Sequence, residues 1–238
     1  VLGDVEAPLA VKRALEIESV RPHALRLAYE VASPSLAEAL VKLMPALEPV
    51  DGVRAVMALG RAGAAKELAE RVLDPALGPA AISALGSALG ADATALIEAG
   101  LRGKDAAKRR AFARAGIIRG VVTRSPPPGL PGALEALAAS KDPSDVEIAA
   151  LGQVALGLRP AKDVLATAKG RDDASSLAIV AGAARGALAR GEDDKAAFSE
   201  LCAAIDPEKP ARVHIAAGVA LLSDKGAREM PFKVLFRL

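Results

Sequence analysis

Residues 51–74, DGVRAVMALGRAGAAKELAERVLD, contain the pattern that decides the fold of this chain. An apolar segment with helical spacing surrounds Gly60, a break follows at Gly63, and Leu68 and Val72 then form an apolar stripe one helical turn apart. Glycine just after an apolar helical segment commonly marks the end of that helix. The stretch therefore predicts two consecutive helices joined by a tight connection.

The same arrangement recurs along the chain. Similar apolar segments lie at 53–63, 80–90, 109–120, 147–157, 177–191 and 213–222, with central glycines Gly60, Gly86, Gly116, Gly152, Gly182 and Gly218. Successive glycines are 26, 30, 36, 30 and 36 residues apart. A weaker copy at 23–32 has Tyr29 in the glycine position. We therefore expect about seven units of about 30 residues each, a period typical of stacked helical repeats.

A second helix is predicted in most of these units, at 64–73, 91–101, 160–169 and 195–205, with apolar pairs such as Leu96 and Ala99. No segment shows sustained period-two alternation, so strands are not expected and the fold class is all-α. A glycine inside a helix costs about 1 kcal/mol relative to alanine. Its repetition therefore needs a common cause, and we expect the glycines to let neighbouring helices approach closely.

The repeat resembles HEAT repeats of the short bacterial type that also occurs in phycobilisome lyases. Residues 51–74 carry the resemblance best, through Asp51, Val53-Arg54, the Ala58-Leu59-Gly60 centre and the leucine-containing second helix. Residues Asp105 with Arg109, and Asp145 before Val146, repeat the start of the motif. The resemblance implies a right-handed α-solenoid of about seven helical hairpins over 1–238. Two halves, 1–124 and 133–238, are expected on either side of a Pro/Gly loop at 125–132, SPPPGLPG, which we expect not to be helical.

Composition restricts the possible functions. The formal charge is +2, a smaller basic excess than nucleic-acid-binding proteins usually carry, so a nucleic-acid partner is disfavoured. Cys202 is the single cysteine, and His23 and His214 lie far apart, so neither a disulfide nor a metal site is expected. No apolar run approaches the roughly 18 residues of a membrane span. We expect a soluble protein, in the cytoplasm or the periplasm, and the Ala, Gly, Arg and Pro bias is typical of GC-rich bacterial genomes.

Catalysis is not expected. Phosphate-binding glycine motifs are missing, because the glycines near 182–191 lack a preceding strand and a following Lys-Ser/Thr pair. Lyases and DNA glycosylases with HEAT-like folds would be expected to line a cavity with aromatic side chains. This chain has four Phe, one Tyr and no Trp. The expected function is therefore a non-catalytic interaction or scaffold module without a cofactor, within a larger bacterial assembly.

One segment is strongly basic and gives the first candidate binding residues: Arg102, Lys104, Lys108, Arg109, Arg110, Arg114, Arg119 and Arg124. At about 100° per residue, Ala107, Ala111, Ala115, Ile118 and Val122 would form the buried stripe of this helix. The cations, including Arg119, are then expected to lie beside the stripe, with their heads in water. A solvated or ion-paired face and a docking surface for an acidic protein both stay open. So does a site for a nucleic acid or a phosphate ligand formed by the basic helix at 102–124.

The C-terminal MPFKVLFRL, residues 230–238, gives the second pair of candidates, Phe232 and Phe236. They are four residues apart and so share one helical face. This tail is expected either to cap the last repeat or to dock into a partner protein.

Overall fold

The structure, a computed structural model, describes residues 3–88, 90–168 and 173–190. Every regular element in these residues is helical, so the all-α prediction is confirmed for them. The predictions made for the helix at 195–205, for Cys202, His214 and Gly218, and for the tail with Phe232 and Phe236 lie outside the described residues.

The chain divides into two compact units, Val1–Pro128 and Gly129–Leu238. The first contains α1 (Gly3–Leu15), α2 (Arg21–Val31), α3 (Ala37–Leu43), α4 (Pro49–Arg61), α5 (Ala65–Ala69), α6 (Gly78–Ser87), α7 (Asp92–Leu101) and α8 (Ala106–Thr123), with short 3-10 turns at Glu18–Val20, Pro34–Leu36 and Met44–Ala46. The described part of the second contains α9 (Leu130–Ala138), α10 (Pro143–Ala155), α11 (Ala161–Ala166) and α12 (Ala174–Arg190).

Helices of the first unit pack in a regular order. Helix α4 contacts α2 on one side and α6 on the other, and α6 in turn contacts α8. We call α2, α4, α6 and α8 the first helices. The shorter partner helices α3, α5 and α7 pack beside them, α3 on α4, α5 on α6, and α7 on both α5 and α8. Leucine and isoleucine side chains from both sets fill the core, and those that are fully buried include Leu25, Leu40, Leu59, Leu68, Leu85 and Ile97.

Glycines in the left-handed conformation separate the helices. Gly63 and Gly90 have φ angles of 75° and 95°, which a residue with a β-carbon rarely adopts. The break predicted at Gly63 is confirmed, and Gly90 separates the helices predicted at 80–90 and 91–101. A third glycine in this conformation, Gly157 with φ 67°, follows α10.

The predicted second helix at 64–73 is shorter than expected. Helix α5 ends at Ala69, and residues 70–77 form turns that lead into α6. The Asp74 carboxylate accepts hydrogen bonds from the backbone N–H of Leu77 at 2.8 Å and of Ala76 at 2.9 Å. These bonds favour the charged carboxylate and so lower the pKa of Asp74. The turn is a side-chain-stabilised element that helical periodicity does not indicate.

Two further expectations were wrong in part. The buried face of α7 is formed by Ala93, Ile97 and Leu101, which lie four residues apart, whereas Leu96 is half-buried and Ala99 is exposed. The SPPPGLPG segment is not wholly non-helical, because α9 already begins at Leu130. Proline has no N–H to lose in the first turn of a helix, so Pro131 is well placed there.

The helices meet most closely at the repeated glycines. A β-carbon on Gly60 of α4 would lie 2.9 Å from the carbonyl oxygen of Ala84 on α6. One on Gly86 of α6 would lie 2.7 Å from the carbonyl oxygen of Ala115 on α8. In the second unit, a β-carbon on Gly182 of α12 would meet the carbonyl oxygen of Glu147 on α10. The expectation that these glycines permit close helix contacts is confirmed at the three positions.

Gly86→Ala is therefore expected to destabilise the protein by about 1–3 kcal/mol, because α8 would have to move away from the new methyl group. Gly132→Ala is the matched control, since Gly132 lies in the first turn of α9 and a β-carbon there would meet nothing within 4 Å. That change should be neutral or stabilise by up to about 1 kcal/mol through helix propensity. Urea unfolding measures both. Equal stability of the two variants would contradict the close contact.

Candidate functional site

The basic residues at the start of α8 mainly close the connection from α7. Arg102 forms an ion pair with Glu98 at 2.9 Å. The Arg109 guanidinium donates to the backbone carbonyl oxygens of Gly103 at 3.1 Å and Lys104 at 2.8 Å. Asp105 is the N-cap of α8 and accepts from the backbone N–H of Lys108 at 3.1 Å. The side chains of Lys104 and Lys108 are exposed beside this connection.

Arg119 is not at the surface of α8. It is 8% exposed, and its Nε donates to Thr94 Oγ1 at 2.6 Å. Its Nη1 and Nη2 donate to the backbone carbonyl oxygens of Ala88 at 2.9 Å and Gly90 at 2.7 Å. The expectation that this side chain keeps its head in water is therefore wrong. Arg119 ties the α6–α7 connection to α8, and we do not assign it to a binding surface.

Replacement of Arg119 by methionine is expected to lower the free energy of unfolding by about 1–3 kcal/mol, because it leaves the carbonyl oxygen of Ala88 buried without its donor. Arg114→Met removes an arginine from the same helix, but that side chain is exposed. It should change stability by less than about 0.5 kcal/mol. Chemical denaturation compares the two variants, and a similar loss in both would show that the Arg119 hydrogen bonds do not hold the connection.

The exposed side of α8 differs from the predicted one. Ala107 and Val122 of the expected buried stripe are exposed, Val122 by 60%, whereas Phe112 and Ile117 are buried. Arg114 lies exposed on the outward side of the helix, and Arg110, one turn before it, is half-buried. Arg124 follows the helix in the left-handed conformation, with φ 58°, and is exposed.

Sequence reasoning missed three arginines on α2 and α4. Arg26, Arg54 and Arg61 are exposed. The sequence does carry an indication, because Arg54 and Arg61 are two helical turns apart and so share a face. Val50 and Val53, which are 64% and 39% exposed, lie on the same outward arc of α4.

A groove runs between α2 and α4. Its volume is about 320 Å³, and it is lined by Pro22, His23, Leu25, Arg26, Tyr29 and Arg54. Arg54 forms an ion pair with Asp51 at 2.6 Å. The Arg61 guanidinium lies over the Tyr29 ring, 5.5 Å from its centroid, a distance that allows a cation–π interaction. Both arginines of α4 therefore lie against α2.

Charge is distributed unevenly between the two sets of helices in the first unit. The acids of the first helices are Glu30 and Asp51, and their cations, apart from the buried Arg119, are Arg21, Arg26, Arg54, Arg61, Lys108, Arg109, Arg110 and Arg114. The partner helices carry the acids Glu38, Glu67, Asp92 and Glu98 and the cations Lys42 and Lys66. The exposed sides of the first helices, which we call the first-helix surface, are therefore basic.

Partner-helix charges are in part neutralised locally. Lys42 forms an ion pair with Glu38 at 2.6 Å, one turn away on α3. The hydrogen bond from Lys42 lowers the pKa of the Glu38 carboxyl, and the same bond raises the pKa of Lys42. Among the described residues, no three His, Cys, Asp or Glu side chains lie close enough to hold a metal ion. The arrangement offers guanidinium groups for binding anions.

Comparison of the chain with protein-family models, with curated proteins and with solved structures finds no match. Of the helices that the structure describes, none has both the length and the apolar character to cross a membrane.

Proposed function

We propose that this chain is a non-catalytic interaction module, and that its first-helix surface holds an acidic partner protein. We further propose that both units are built from HEAT-like helical hairpins, about seven in all. The observation that carries the proposal is the separation of charge in the first unit. A surface whose charges have one sign attracts a partner whose charges have the opposite sign, and it orients that partner during the encounter.

A scaffold role fits the packing of the first unit. Each first helix contacts the next one, so the exposed side chains of successive helices form a continuous surface. Repeat proteins use such extended surfaces for binding. The residues of this surface that we assign to partner contact are Arg26, Arg54, Arg61, Arg110 and Arg114.

An acidic protein suits this surface better than a nucleic acid does. Val50 and Val53 are exposed among the arginines of α4, and apolar contacts of this kind are typical of protein interfaces. Tyr29 is the aromatic side chain of the groove, and the Arg61 guanidinium lies over its ring. A base would have to displace that guanidinium in order to stack there. Asp51 also offsets the charge of Arg54, which weakens any attraction for phosphates.

Fluorescence anisotropy tests the proposal with the full chain and three labelled probes. These are a short peptide rich in glutamate and leucine, the same peptide with glutamine in place of every glutamate, and a DNA duplex of similar total charge. We expect the glutamate peptide to bind more tightly than the other two. The double variant Arg110→Glu and Arg114→Glu should weaken its binding by about tenfold or more, a loss of about 1.4 kcal/mol.

The matched control reverses two cations on the partner helices, Lys42→Glu and Lys66→Glu. Because these residues lie on α3 and α5, peptide affinity should change by less than about threefold. Tighter binding of the duplex than of the glutamate peptide would contradict an acidic protein partner. Absence of peptide binding, or equal losses in both double variants, would contradict the first-helix surface.

A further inference from the structure

The groove between α2 and α4 combines an apolar floor with cationic walls. Leu25 at its base is fully buried, and Pro22 lies beside it. Arg26 and Arg54 come from the two sides, one from each helix. Its volume of about 320 Å³ is at the lower end of the range of ligand pockets, about 300–1,000 Å³, and so suits a few side chains rather than a large ligand.

Arg26 is the cation of this groove that is available to a ligand. It has no ion-pair or hydrogen-bond partner among the described residues, although Glu30 follows it by one turn on α2. Arg54 has a partner already, Asp51, and Arg61 lies over Tyr29. Both contacts hold an arginine in place at the groove without removing the net positive charge of the three guanidinium groups. A guanidinium presents paired N–H donors that match the two oxygens of a carboxylate.

Apolar side chains adjoin the cations. Val50 and Met57 lie one turn before and one turn after Arg54 on the outward arc of α4. Val50 is 64% exposed, and Met57 is half-buried. A ligand with its carboxylate at Arg26 would therefore meet an apolar strip next to the groove.

We propose that this groove binds a glutamate or aspartate side chain of the partner, within a peptide segment that also places an apolar residue against Val50 and Met57. The proposal rests on the proposed function and names the specificity site within the first-helix surface. The carboxylate bonds to Arg26 and is attracted by Arg54, and the neighbouring apolar residue excludes water from that bond. Inorganic phosphate has no apolar part, so it would contact the arginines of the groove but not Val50 and Met57.

The test uses the full chain, the glutamate–leucine peptide, and the variants Arg26→Gln and Lys42→Gln. Arg26 is exposed and unpaired, so its removal should leave the fold intact, which the helical circular-dichroism spectrum and melting temperature verify. We expect Arg26→Gln to weaken peptide binding by about tenfold, as the loss of a charge-assisted bond requires. Lys42→Gln, on the partner side, should leave the affinity within about twofold. In NMR spectra, the amides of residues 23–29 and of Arg54 should shift most on addition of the peptide.

Each contrary result has a different meaning. If the wild-type chain binds the peptide and Arg26→Gln binds it equally well, the groove is not the carboxylate site, whereas the proposed function stands. If the wild-type chain binds no acidic peptide, the proposed function fails and this inference fails with it. If inorganic phosphate displaces the peptide at a similar concentration, the site recognises a free anion, and its assignment to a peptide is overturned.

Discussion

A β-carbon on Gly60 would lie only 2.9 Å from the carbonyl oxygen of Ala84, and this contact shows the constraint on which the first unit depends. Two helix backbones approach this closely only where one of them has no side chain. The same constraint applies between α6 and α8 at Gly86 and between α12 and α10 at Gly182. Gly186, one turn further along α12, repeats it, with a β-carbon there lying 2.6 Å from the carbonyl oxygen of Leu151. Small residues rather than large interlocking ones thus set the helix spacing at these contacts.

The close spacing of the helices also determines which side chains lie together on the outer surface. Because α2 and α4 pack side by side, an arginine from each lines one groove, and Arg61 reaches the Tyr29 ring. The partner helices occupy the other side of the first helices and carry most of the acids of the first unit's packed layers. The apolar positions determine which side of each helix is buried, and so they also determine where the charged residues lie. The first helices present a basic surface, whereas the partner helices carry both acids and cations. The proposed binding activity follows from this separation of charge.

Much of the fold could be predicted from the sequence, because it depends on local rules. Helical periodicity, glycine at helix ends and the repeated glycines together predict an all-α chain with close helix contacts, and they locate the breaks at Gly63 and Gly90. Local rules failed where a side chain is used by a distant part of the chain. Arg119 looks like a surface cation within its own helix, yet two of its acceptors belong to the connection between α6 and α7 and the third, Thr94, belongs to α7. The assumption of a single buried stripe failed for α8, because this helix packs against both α6 and α7.

The candidate site was predictable only in part, for a similar reason. The basic segment of the sequence predicted Arg110 and Arg114 as candidate binding residues, and both belong to the first-helix surface. The groove combines residues of two helices about 30 positions apart in sequence, and a repeat period predicts their proximity only after the repeat has been aligned. Tyr29 occupied the glycine position in that alignment, whereas in the structure its ring lies under Arg61 and is 38% exposed.

The most direct test of the central claim, that consecutive first helices touch at their glycines, is a nuclear Overhauser spectrum of the labelled protein. The account predicts strong cross-peaks from the Hα protons of Gly60 to the Ala84 methyl group and from those of Gly86 to the Ile118 γ2 methyl group. A β-carbon in place of one Hα would lie 3.0 Å from the Ala84 Cβ and 2.8 Å from the Ile118 Cγ2. Sequential and intrahelical cross-peaks in α4 and α6 serve as the internal reference. Clear intrahelical peaks with neither interhelical peak would contradict the account, since the first helices would then be too far apart to form the surface proposed for binding.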